Sequence, residues 1–197
     1  MRVIGIDPGT RHVGYGVVEE QGGAFVRLDG GTIDCVSGDD LAARLVGIHR
    51  GLQVVIREWQ PAAAAVETVF FGQNSRTAIC IGEGRGVALL SAAEAEVEVI
   101  GYEPALVKKA ICGSGRAGKR QVQEMVRVLL SLPEAPATDH EADALALAIC
   151  HLRRARLGLP QGRRELPAAV QDALGDQAPP RRRGGRKRSA PRLRRAP

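Results

Sequence analysis

MRVIGIDPGT, residues 1–10, is a short apolar run that ends on Asp7 and breaks at once into a Pro-Gly turn. Val3 to Ile6 is too short for a helix and reads as a buried strand, and Pro8 and Gly9 forbid its continuation. Asp7 is therefore delivered to a strand end, at the rim of a sheet. Aspartate is a poor strand former and an unpaired carboxylate taken out of water is costly, so its position calls for a partner. On this segment alone two partners serve equally: the amides of its own turn, as in an Asx-turn, or a metal ion.

Working outward, Val13 to Glu19 and Ala24 to Cys35 have strand character and are separated by Gln21-Gly22-Gly23, a hairpin-type turn. The first three elements are thus expected to form an antiparallel meander. From Asp39 to Trp59 the apolar residues Leu41, Leu45, Ile48, Leu52, Val55 and Trp59 recur at helical intervals, with Pro61 just beyond. Ala62 to Thr68 follows as a second short apolar run. Reached by a helical crossover, it is expected to lie parallel to the first strand, with Glu67 as its rim carboxylate. If these strands are neighbours, Asp7 and Glu67 emerge from one sheet end about 4.7–4.9 Å apart in backbone, a spacing that suits a shared divalent cation.

A Gly/Ala-rich helix is expected from about Asn74 to Ala95, although Gly82, Gly84 and Gly86 each weaken it by up to about 1 kcal/mol; small residues there imply close packing. Val97 to Gly101 reads as a strand, Pro104 starts a helix ending near Gly113, and Lys119 to Leu132 forms another after a Gly-rich loop. The last helix, Thr138 to Leu157, begins Thr-Asp-His-Glu-Ala-Asp. His140 and Asp143 stand three apart, on one face of its first turn. Thr138 and Glu141 match a capping box and Asp139 suits the positive helix end, so each has a sufficient structural task. Asp143 lies beyond the cap in an otherwise Ala/Leu helix. His140 alone would read as a surface histidine; its spacing to Asp143 and the strand-end acids make it a ligand candidate.

At 197 residues the chain is expected to hold one folded domain, residues 1–157, and a basic, mostly disordered tail, 158–197. No apolar run reaches membrane-span length and no signal peptide is recognisable, so a cytoplasmic protein with no membrane partner is expected. Cys35, Cys80, Cys112 and Cys150 are far apart in apolar surroundings and read as reduced packing residues. The net charge of +6 hides a division. From Arg153 onward fourteen Lys and Arg face three Asp and Glu, a net of +11, which leaves −5 for everything before it. Within that acidic body Lys108, Lys109, Arg116, Lys119, Arg120 and Arg127 fall close together with Glu124 the only acid among them. Clustered cations on an acidic domain favour a polyanion partner, nucleic acid first.

IGIDPGT with the following GYGVVE, the segment VETVFFGQNS, the stretch VKKAICGSGRAGKRQVQEMV and the helix DHEADALALAICH together resemble the RuvC family of bacterial Holliday-junction resolvases, over about residues 1–155. The resemblance implies an RNase H-like α/β fold, a five-stranded mixed sheet flanked by helices. It implies a homodimer, working with a branch-migration complex, that resolves four-way DNA junctions by paired symmetric nicks leaving 5′-phosphate and 3′-hydroxyl ends, in recombination and repair. The family's catalytic acids match Asp7, Glu67 and Asp143, and its fourth ligand position falls on His140, where aspartate is commoner. Two Mg²⁺ or Mn²⁺ ions about 3.5–4 Å apart are expected at such a site. Lys108 and Lys119 match basic positions near the junction phosphates, with Arg120 beside them, and Phe70 matches an aromatic that stacks on an unpaired base. Gln73, Asn74, Ser75 and Arg76 are expected to face DNA.

Two rivals carry the same residues differently. Gly-Ile-Asp-x-Gly-Thr also resembles the phosphate loop of actin-like kinases and ATPases, which require a second lobe that this length hardly accommodates. A non-catalytic junction-binding scaffold would use the basic residues alone, but converging carboxylates would repel the phosphates it must hold.

Overall fold

The structure, a computed structural model, describes residues 1–35, 40–68, 75–165 and 194–195. Three strands open the chain: β1 (Arg2–Asp7), β2 (His12–Gln21) and β3 (Ala24–Asp34). They form the expected antiparallel meander, with Gly22 and Gly23 at positive φ in the turn between β2 and β3. Helix α1 (Leu41–Trp59) starts where the Asp40 carboxylate accepts the Ala43 N–H at 2.7 Å. It carries the chain across to β4 (Ala63–Glu67), which lies parallel to β1 with Ile6 beside Val66. Helix α2 (Ser75–Glu94) returns the chain to β5 (Glu98–Tyr102), parallel to β4. The chain then runs through α3 (Pro104–Cys112), α4 (Lys119–Leu129) and α5 (Asp139–Arg156). Among the described residues no helix is long and apolar enough to cross a membrane.

The expected five strands are present, and two more extend the sheet: β6 (Arg163–Arg164) on β5 and β7 (Arg194–Arg195) on β3, giving the order β6-β5-β4-β1-β2-β3-β7. Two-residue strands made of arginine have no hydrophobic alternation to betray them; what they supply is backbone pairing to exposed sheet edges. The boundary expected after residue 157 also falls inside packed structure, since residues 160–165 hydrogen-bond to β5 and α5. The remainder of the tail lies outside the described residues, apart from β7.

Period-two alternation divides the core between the two faces of the sheet. Ile4, Ile6, Val13, Tyr15, Ala64, Val66 and Val99 pack against α1 and α2, while Val3, Ala63, Ala65, Ile100 and Tyr102 pack against α3, α4 and α5. On this second face three glycines clear the ground for α5. Gly5 lies opposite Gly16, and Gly14 opposite Asp7, across the β1–β2 pair. A Cβ on Gly5 would stand 1.8 Å from the Ala144 carbonyl oxygen, and one on Gly14 would stand 2.0 Å from that of His140. The backbone of α5 therefore rests directly on the sheet, so this otherwise alanine- and leucine-rich helix is buried along most of its length. A further close contact explains one of the helix-weakening glycines: a Cβ on Gly84 of α2 would meet the Gly9 carbonyl oxygen at 2.4 Å.

Candidate active site

Asp7 is the last residue of β1 and Glu67 the last of β4, on adjacent parallel strands. Both fall on the face that α5 covers, in phase with Gly5 and with Ala63 and Ala65. The seating of α5 on the glycine floor brings its first turns to the same sheet end. There His140 Nδ1 lies 2.7 Å from Asp7 Oδ2.

The electrostatics show how closely the acids crowd. Burial, followed by the charges of Asp7 and Asp143, pushes the Glu67 carboxyl up to about 7, against a smaller opposing pull from Lys108. Asp143 is pushed up to about 6, first by burial and then by Asp7, while Lys119 and His140 pull the other way. The hydrogen bond to Asp7 raises His140 above the usual imidazole range, and desolvation opposes it. Asp7 thus acts as a like charge on Glu67 and on Asp143, and Asp143 on Glu67, in a partly desolvated corner, an arrangement that a divalent cation relieves. Hard carboxylate oxygens with one imidazole form a donor set suited to Mg²⁺ or Mn²⁺. Among the described residues, no three His, Cys, Asp or Glu side chains are gathered tightly enough to hold one ion; His140 and Asp7 instead close on each other.

The two neighbours with structural tasks take them up. Glu141 is only 1% exposed and ion-pairs with Arg27 of β3 at 2.6 Å, while its backbone N–H donates to Thr138 Oγ1 at 3.0 Å. Its carboxylate reaches back to the Ala137 N–H at 3.2 Å, one residue beyond the N-cap amide of the usual capping box. Asp139 turns to the start of α4, accepting from Gln123 and from Lys119 Nζ, the latter at 3.4 Å. The residue facing Asp7 is His140.

Of the expected DNA-facing residues, Lys108 on α3 lies within electrostatic reach of Glu67, and Lys119 within that of Asp143. Arg120 is exposed in the first turn of α4. Phe70, Gln73 and Asn74 lie outside the described residues; Ser75 and Arg76 begin α2, where only the backbone is described.

Two side chains at this end were not foreseen. The His12 ring stacks near that of His140, centroids 5.9 Å apart and planes at 22°, with its Nδ1 2.9 Å from Asp34 Oδ1. Counting back from the β2–β3 turn pairs His12 with Ile33; a bulge at Val17–Val18 moves its partner to Asp34, which is why the pair is invisible to simple counting. Arg85 of α2 donates from Nε to the Glu67 carbonyl oxygen at 3.1 Å. A lone arginine in a helix carries no signal of that reach.

The family profile described as "Crossover junction endodeoxyribonuclease RuvC" matches residues 3–151. A relative of that name from Chloroflexus aggregans is 49% identical over 151 residues, covering 77% of this chain and 92% of its own. One from Rubrobacter xylanophilus is 47% identical over 170 residues, covering 86% of this chain and 94% of its own. The solved structure of T. thermophilus RuvC in complex with Holliday junction substrate is similar with a TM-score of 0.77 and 40% identity, over 82% of this chain and 98% of that one.

Proposed function

The chain belongs to the RuvC family of crossover junction endodeoxyribonucleases, and we propose that it resolves four-way DNA junctions by hydrolysis at the carboxylate end of β1 and β4. Family membership makes it an RNase H-like endonuclease of Holliday junctions. The finer reading is that Asp7, Glu67, His140 and Asp143 hold two Mg²⁺ or Mn²⁺ ions. The observation that carries it is the gathering of Asp7, Glu67 and Asp143 in one half-buried corner, where the charge of Asp7 raises both of the other two acids and Lys108, Lys119 and His140 oppose it.

Bound divalent cations supply Lewis acidity at the scissile phosphate and a nucleophilic water at neutral pH. The protein's part is to present the carboxylates in ionised form, which the raised Glu67 and Asp143 reach fully only on the alkaline side of neutrality in the absence of a cation. His140 contributes a neutral ring: Nδ1–H donates to Asp7, which fixes the tautomer and leaves the Nε2 lone pair to serve as a ligand. Lys108 and Lys119 flank the corner and draw the phosphodiester towards it, with Arg120, Arg76 and Phe70 as further DNA contacts. Water adds to phosphorus and the bond to the 3′ oxygen breaks, which leaves a 5′-phosphate and a 3′-hydroxyl. No covalent enzyme intermediate is needed.

A pair of symmetric nicks calls for two sites related by a two-fold axis, so a homodimer is part of the proposal. Helix α2 offers a face for it. Ile79 is 61% exposed and Leu90 53% exposed, and side chains added at Gly82 and Gly86, between them on the same face, would meet nothing. A branch-migration complex is the proposed source of junctions. The test is cleavage of a synthetic four-way junction by Asp7→Asn, Glu67→Gln and Asp143→Asn: each is expected to bind the junction with parental affinity and to lose cleavage. Parental cutting by any of them removes that residue from the site.

A further inference from the structure

Residues 158–165 form an arm that lies antiparallel along β5 and ends at Val99. Pro160 O accepts from Arg154 Nε at 2.8 Å, and Gln161 Oε1 accepts from the Tyr102 hydroxyl at 2.6 Å. The same hydroxyl lies 2.8 Å from Nδ1 of the buried His151. Arg164 ion-pairs with Glu98 at 2.6 Å, and the Glu165 N–H donates to Val99 O. The arm lies flat because two glycines leave room for it. A Cβ on Gly162 would stand 2.0 Å from Gly101 O, and one on Gly101 would stand 2.2 Å from Glu165 Oε1.

Glu165 meets Arg85 at the end of this arm. The guanidinium, 16% exposed, uses Nη2 for Glu165 Oε1 at 2.9 Å, a carboxylate itself 14% exposed, and Nε for the Glu67 carbonyl oxygen at 3.1 Å. On the other side of the same strand end, the N–H and hydroxyl of Thr68 both donate to Tyr102 O. The peptide that carries Glu67 is therefore gripped from α2 and from β5 together. We propose that Arg85, oriented by Glu165 of the C-terminal arm, is a positioning residue for Glu67. This inference rests on Glu67 being a metal ligand.

The physical case has two parts. A ligand side chain is useful only when its direction is held to about 0.5 Å, and the direction of Glu67 is set by the peptide that Arg85 holds. Glu165 also balances the charge of Arg85, in a guanidinium fork whose two arms serve different acceptors. Without that carboxylate the guanidinium loses the partner that fixes its orientation and becomes free to leave the Glu67 carbonyl.

The test uses full-length protein carrying Glu165→Ala, Glu165→Asp, Arg85→Lys or Glu67→Gln. Four quantities are measured: melting temperature, junction affinity without divalent ions, Mn²⁺ binding by electron paramagnetic resonance, and single-turnover cleavage. Lysine keeps a charge for Glu165 but lacks the fork that also reaches Glu67 O. Glu165→Ala and Arg85→Lys are expected to cut about tenfold to a hundredfold more slowly and to bind Mn²⁺ more weakly, at unchanged junction affinity and melting temperature. Glu165→Asp is expected to recover most of both. Parental rates and Mn²⁺ binding in Glu165→Ala and Arg85→Lys, alongside an inactive Glu67→Gln, overturn the positioning role while leaving the site intact. Losses that follow melting temperature across the variants overturn it too, by showing a purely structural pair. A Glu67→Gln protein that cuts at the parental rate overturns the reading of Glu67 and the inference with it.

Discussion

Glu67 and Asp143 hold their protons well above the usual carboxylate range, and this has a cost that can be measured in the unbound protein. The folded-state value of Glu67, about 7, exceeds its ordinary 4.5, so the unfolded chain releases this proton first as pH rises. The native state loses stability between those two values and carries the full penalty above 7. In the absence of divalent ions, Glu67→Gln is therefore expected to melt higher than the parent at pH 8, by a few degrees at about 2–4 °C per kcal/mol, with the gain shrinking towards pH 5. Thermal unfolding followed across that range checks it; a constant difference, or a loss at pH 8, contradicts it. His140 behaves in the opposite sense, because its hydrogen bond to Asp7 raises its folded-state value. That bond stabilises the unbound protein fully below the ordinary imidazole value of about 6.5 and ceases to do so as pH rises through the raised value. As a ligand, a neutral imidazole removes one negative charge from the donor set and favours Mn²⁺ over Mg²⁺. His140→Asp is expected to shift the preference of cleavage towards Mg²⁺, and His140→Ala to lose most cleavage while keeping the junction. Parental rates from His140→Ala with either metal would return attention to Asp139, whose carboxylate now faces Lys119 and Gln123.

Helix α5 supplies two of the four candidate ligands, and its height above the sheet depends on positions that have no side chain. Gly14→Ala would drive a methyl group to 2.0 Å from the His140 carbonyl oxygen, so it must lift the first turn of the helix. The expected result is a destabilisation of about 1–3 kcal/mol, read from urea unfolding, together with impaired cleavage. Gly47, with nothing near its Cβ position, is the control site at which alanine should be tolerated. These glycines also mark where reading from sequence stops. Apolar runs punctuated by Pro and Gly were enough to place β1 to β5 and all five helices, because burial of alternating or helical faces is a local signal. The convergence of Asp7, Glu67 and Asp143 was legible for the same reason: two strand ends and a helix start are recognisable positions. The glycine floor was not, since absence of a side chain says nothing about what will press against it. Nor was the His12–Asp34 pair, displaced by a bulge, or the arm carrying Glu165, whose two-residue strand β6 depends on backbone pairing.

For the whole molecule, the charge division separates two kinds of DNA attraction. The body is net negative with Lys108 and Lys119 set beside the site, while the segment from Arg153 onward carries +11. A chain ending at residue 165 retains the arm and is expected to cut junctions with lower affinity and a shallower dependence of binding on salt, since phosphate neutralisation sets that slope. An unchanged slope in filter-binding titrations would take the tail out of DNA binding. The exposed Ile79–Leu90 face of α2 gives a second global prediction: Leu90→Glu should convert a dimer to a monomer in sedimentation, whereas an unaltered dimer assigns the interface elsewhere. The claim on which all of this depends is that a divalent cation held at the Asp7, Glu67, His140 and Asp143 corner cuts the junction. It is tested most directly by incubating a synthetic four-way junction with parent and Asp143→Asn protein, each with Mn²⁺ and with a chelator, and sizing the products. The expected result is paired, symmetric, religatable nicks from the parent with Mn²⁺ alone, while Asp143→Asn binds the junction and leaves it whole. Cleavage that persists in chelator, or at the parental rate in Asp143→Asn, would contradict it.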